Sequence, residues 1–178
     1  DFQRFLYERQ AAFHREMIAF LRDEIGIKAP LTSMNMSDRF ELTPISANFD
    51  WVDKHCYYSH PNKLDPKQSA LVPNAYSQTG SPIESFASPA PRQIAFSRYV
   101  GKPMGSTEYN FCYPNPYRHE GVPLFMAYAA HQDWNAFFRF MWSCGAWSFN
   151  KTFRAVPFEE ATDPIMQLSD RVAAALFL

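Results

Sequence analysis

Four short apolar runs, each followed by a helical pattern, constrain this fold more than any other feature. The runs span about residues 30–35, 49–57, 103–108 and 136–142. Helical patterns follow at about 37–47, 89–100, 118–132 and 164–178, and a further helix at about 2–25 precedes them all. Strands that alternate with helices pair side by side in a parallel sheet with helical cover. Such strands are buried on both faces and read as apolar rather than strictly alternating, as these do. The expectation is an α/β fold of four parallel βα units within a single domain over 1–178.

Local signals set the boundaries. Phe2, Phe5, Leu6, Phe13, Met17, Phe20 and Leu21 recur at helical spacing, and Gly26 is a natural stop. Ser37 or Asp38 caps the second helix, which Pro44 limits. Pro89 and Pro91 suit the first turn of the third. The segment 60–88 is rich in Pro, Ser, Asn and Gln and lacks periodicity. It exceeds the roughly 12–15 residues of an ordinary connection and reads as a lid-like excursion.

Composition narrows the function. A chain of 178 residues with 47% hydrophobic side chains can bury a real core, which excludes global disorder. A net charge of -1 argues against nucleic acid as a partner. No apolar run approaches the roughly 20 residues of a membrane span. The opening "DFQRFLYERQ" scatters charges through a helical pattern, unlike a signal peptide, and has no initiator methionine. From this we expect a piece of something longer. Aromatic residues reach 17%, and Tyr and Trp near loops suit sugar faces as well as cores. Cys56, Cys112 and Cys144 cannot all pair internally and lack CxxC spacing, so they leave the compartment undecided.

Side chains that do chemistry on βα units gather at the carboxyl ends of the strands. Those ends deliver Asn35, then His55 with Tyr57 and Tyr58, then Glu108 with Tyr109 and Asn110, then Trp142. Glu108 is either an ordinary acid, solvated or paired with a cation such as Arg118, or a nucleophile or general base held ionised by Tyr57 and His55. His55 and Tyr57 could equally be core residues. Trp142 could be a core plug or a floor for a ring, and Asn35 and Asn110 could stabilise turns. A zinc site from the three cysteines with His55 and His60 lacks paired ligand spacing, and we expect no metal and no cofactor. Neither a GxSxG turn nor a glycine-rich phosphate loop is present.

The stretches "FDWVDKHCYYSHP", "STEYNFCYPNPYRHE" and "PLFMAYAAHQDWNAFFRFMWS" together resemble the second half of a (β/α)8-barrel glycoside hydrolase. The likeness is to the clan of retaining enzymes with cellulase-like and β-galactosidase-like members. It covers nearly the whole chain, from the helix after barrel strand four to the helix after strand eight. The resemblance implies a poly- or oligosaccharide substrate and Glu108 as nucleophile. It also implies His55 and Tyr57 as its hydrogen-bonding neighbours and Trp142 as the stacking floor. Tyr109, Asn110, Tyr113 and Tyr117 would line the loop above. A secreted or periplasmic location would follow.

The departure is the acid/base. In this clan it is a Glu, normally after an Asn, at the end of strand four, and no Asn-Glu pair ends a strand here. Glu84 and Glu120 are the nearest loop candidates, and Glu120 suits a helix start instead. The expectation is half a site, completed by the other barrel half or by a second copy. The alternative is a non-catalytic carbohydrate-binding or scaffold protein using the same aromatic cleft.

Overall fold

A computed structural model describes residues 1–36, 40–63, 75–76, 80–84, 89–143, 145 and 157–178. Helix α1 (Phe2–Ala19) continues as a π-helical turn over Phe20–Glu24, and the chain turns at Gly26 with φ 76°. A 3-10 helix, Phe40–Asn48, takes the place of the short helix expected at 37–47. Its proposed caps, Ser37 and Asp38, lie outside the described residues. Strands β1 (Val52–Asp53) and β2 (Cys56–Tyr58) follow. In the expected long loop, β3 (Asn62–Lys63) and β4 (Ala75–Tyr76) pair antiparallel, while most of the rest of it lies outside the described residues. Then come α2 (Pro89–Ala95), β5 (Met104–Phe111), α3 (Arg118–His131), β6 (Ala136–Arg139) and α4 (Pro164–Phe177).

The protein is thus α/β with a four-stranded parallel sheet built around β5. β1 and β2 lie end to end along one side of β5, and β6 lies along the other. The run at 30–35 is not a strand, which corrects the expected order. Two backbone bonds, Asp50 N–H to Leu31 O and His55 N–H to Asn35 O, tie it beside 50–55. A ladder cannot continue between them, because Leu31 N–H turns to the Asp50 carboxylate and Met34 is left-handed at φ 67°.

One face of the sheet carries the apolar core. Met104, Tyr109 and Phe111 of β5 cluster with Val52, Tyr58, Phe125 and Trp134. Gly121 allows α3 to sit down on β5, since a Cβ there would stand 1.9 Å from the Phe111 ring. α4 closes the layer through Met166 and Ala173. A second cluster joins Ala11 of α1 to Leu42, Ile45 and Phe49. Both terminal helices leave apolar side chains in water: Phe2, Phe5 and Phe13 on α1, and Leu168, Val172 and Leu176 on α4. Among the described residues no helix is long and apolar enough to cross a membrane.

Candidate functional site

Strand β5 does not end at Glu108, as the sequence suggested. Tyr109, Asn110 and Phe111 continue the ladder against Cys56, Tyr57 and Tyr58. Glu108 is brought to a half-exposed position by a bulge instead. Asp53 pairs with Gly105 and Cys56 with Tyr109, so two residues on the β1–β2 side oppose three on β5. On the other side Ser106 pairs with Phe137 and Tyr109 with Arg139, so one residue opposes two. β5 therefore carries one extra residue against both neighbours, at Thr107–Glu108. A bulge re-aims side chains locally, and these two are the only residues of β5 that are not buried.

The Glu108 carboxylate, with its side chain 32% exposed, meets one donor, Tyr57, and lies beside the His55 ring. Oε1 accepts the Tyr57 hydroxyl, and Oε2 lies 3.7 Å from His55 Nδ1. Burial first, and then the bond to Glu108, push the Tyr57 phenol well above its ordinary pKa. Tyr57 therefore stays protonated and remains a donor. His60, Phe140 and Phe158 surround its ring edge-on at 5.8, 6.5 and 5.5 Å between centroids.

Behind His55 lies a pair of residues that the sequence reading passed over. Asp53 Oδ1 accepts Thr107 N–H at 2.7 Å, and Oδ2 accepts the Thr107 hydroxyl at 2.5 Å. Thr107 Oγ1 is in turn 2.8 Å from His55 Nε2. A hydroxyl has one proton, and this one points at Asp53. The oxygen therefore offers His55 a lone pair, which makes Nε2 the donor and turns Nδ1 toward Glu108. A usable signal existed: Asp53, His55 and Tyr57 are spaced i, i+2, i+4, which places them on one face of an extended chain. Phe158 carried no such signal, because it approaches from a distant loop.

Other expected residues sort differently. Tyr109 faces away from Glu108, buried edge-on against Phe125 and Phe137 at 5.0 and 6.2 Å, so it does not line a cleft. Asn110 is also buried. It donates to Phe140 O and, at 2.9 Å, to Phe158 O, and accepts from Arg139 at 3.0 Å. Its polar atoms are spent on holding the loop ends beside Tyr57. Asn35 accepts His55 N–H at 2.9 Å through its carbonyl. Tyr113 lies under the Arg118 guanidinium at 5.3 Å, and Tyr117 is exposed just before α3. Trp142 is three residues beyond β6 and 58% exposed, and the expected strand to 142 ends at Arg139.

The other charged candidates have surroundings of their own. Arg118 does not pair with Glu108; it pairs with Asp163. Glu120 accepts the Ser81 hydroxyl at the start of α3, as a helix-start acid would, and Glu84 is exposed. Among the described residues no cluster of three His, Cys, Asp or Glu could hold a metal. Cys144 lies outside them. Desolvation pushes the buried Cys56 and Cys112 thiols up to about 12, which keeps both as thiols and not as ligating thiolates.

Those thiols predict a pH dependence. In the unfolded chain they ionise near their ordinary value of 9.0, and in the folded protein near about 12. Between these values the folded state holds more protons, so stability is full below the lower value and falls as pH rises toward the upper. Urea midpoints are expected to drop steadily from about pH 9 to about pH 12. The Cys112→Ala variant should show a shallower fall, and an equal slope would remove Cys112 from the account.

Comparisons with family models, with curated proteins and with solved structures found no match.

Proposed function

We propose that this chain is part of a retaining glycoside hydrolase of (β/α)8-barrel type, with Glu108 as its nucleophile. The observation that carries the reading is the Tyr57–Glu108–His55 group, raised out of the sheet by the β5 bulge. Tyr57 holds one carboxylate oxygen and orients the plane, and the other oxygen lies 3.7 Å from His55 Nδ1. That oxygen would attack the anomeric carbon as the glycosidic C–O bond breaks. The departing oxygen takes a proton from a second carboxyl group. Water, deprotonated by that same group, then cleaves the glycosyl ester and restores Glu108.

The second carboxyl must stand about 5–5.5 Å from Glu108 in a retaining site. We place it outside this copy of the chain, on the other barrel half or on a second copy. The apolar faces of α1 and α4 favour an assembled state, since contiguous exposed apolar surface marks an interaction site. Trp142, exposed beyond β6, would supply a stacking surface for a sugar ring.

The test is hydrolysis of a panel of poly- and oligosaccharides by the intact protein. The anomeric configuration of the first product is read by NMR. Retention is the expected result. Inversion would exclude Glu108 as nucleophile, and sugar binding without cleavage would establish the carbohydrate-binding alternative.

A further inference from the structure

We propose that Asp53 is a positioning residue for the Glu108 site, holding the β5 bulge in shape and selecting the tautomer of His55. The part concerning turnover rests on the reading of Glu108 as nucleophile; the part concerning the tautomer does not.

A bulge withdraws its extra residue from the ladder and leaves a backbone N–H to be satisfied elsewhere. Here that group is Thr107 N–H, and Asp53 Oδ1 accepts it at 2.7 Å. The other oxygen of the same carboxylate takes the Thr107 hydroxyl at 2.5 Å. Asp53 is almost wholly buried, pairs with Gly105 through β1, and grips Thr107 with both oxygens. The residue so gripped immediately precedes Glu108. The backbone that aims the carboxylate is therefore fixed by a side chain on the neighbouring strand.

The second effect passes through the hydroxyl. Because a carboxylate only accepts, it compels the Thr107 proton to point at Asp53 and the lone pair at His55 Nε2, 2.8 Å away. Nε2 then carries hydrogen, and Nδ1 faces Glu108 Oε2 at 3.7 Å. Replacing Asp53 by asparagine reverses the logic. The amide oxygen can still take Thr107 N–H, but the amide NH2 donates to the hydroxyl. The hydroxyl proton is released toward His55, Nε2 becomes the acceptor, and hydrogen moves to Nδ1.

The experiment is NMR of protein labelled with 15N-histidine, in which two-bond couplings identify the protonated ring nitrogen. The wild type is expected to show His55 protonated at Nε2, and Asp53→Asn is expected to convert most of the population to the Nδ1–H tautomer. Thr107→Ser, which keeps the hydroxyl, should retain the wild-type pattern, and Thr107→Val should lose it. A wild type with hydrogen on Nδ1 alone, an Asp53→Asn spectrum matching wild type, or loss of the pattern in Thr107→Ser would each overturn the proposal. If Asp53→Asn does not fold, the Thr107 pair decides it. In turnover, Asp53→Asn should lower kcat about tenfold with KM within about twofold, the split expected when an interaction matters mainly in the transition state. A switched tautomer in a protein that cleaves no sugar would keep this inference and remove the glycosidase reading. An unswitched tautomer in an active enzyme would do the opposite.

Discussion

Arg118→Met is expected to lower the unfolding free energy by about 3–5 kcal/mol, the usual cost of breaking a buried ion pair from one side. Arg118 Nε and Nη2 donate to the two oxygens of Asp163 at 2.6 and 2.9 Å, and Nη1 donates to Asn115 O at 3.1 Å. Both side chains are buried. Methionine fills much of the space but leaves the Asp163 carboxylate without a cation in a place water does not reach. The pair also joins the first turns of α3 and α4, because Asp163 caps α4 through Met166 N–H at 3.4 Å. Its loss would loosen the loop between β5 and α3.

Two further variants separate the causes. Arg118→Lys cannot reproduce the two parallel bonds of a guanidinium and should also lose stability, by less. The double variant Arg118→Met, Asp163→Asn removes the stranded charge and should recover at least half of the loss. Urea unfolding followed by fluorescence gives all three values. A cost for Arg118→Met below about 1 kcal/mol would mean that water reaches Asp163 after all.

The sequence made the βα rhythm legible because it is written in local signals: helical spacing in 2–25, a stop at Gly26, and strands flanked by Pro and Gly. Three later helices begin within a residue of their expected starts, at Pro89, Arg118 and Pro164. The segment 30–35 was misread because its apolar pattern satisfies a strand. The left-handed Met34 that breaks the ladder has no composition cue. The end of β5 was misplaced for a different reason. A bulge depends on registers with two neighbouring strands, which a single strand's sequence does not contain.

The same limit applied to the site. Glu108, His55 and Tyr57 were legible because their residue types announce chemistry and strands bring them together. The sequence puts Tyr109 and Asn110 in the loop because nothing local marks the strand as continuing past Glu108. Alternation then sends Tyr109 to the core, and loop carbonyls claim Asn110. Phe140 and Phe158 meet around Tyr57 only through tertiary folding.

Glu108→Gln probes the proposed role of Glu108 as an attacking carboxylate with little change in shape. Glutamine keeps an oxygen that can accept the Tyr57 hydroxyl, so the fold should persist, and with it the sugar contacts proposed above. It cannot form the glycosyl ester, and the covalent route closes. A loss of at least about 10³-fold in kcat is expected, about 4 kcal/mol of barrier. Oligosaccharide affinity by calorimetry should stay within about threefold, since binding and bond-making are separate interactions here. The decisive measurement is kcat of intact wild type and Glu108→Gln on the same oligosaccharide, with affinity measured in parallel. Turnover lost with binding retained is the predicted result, and turnover left unchanged would contradict the account.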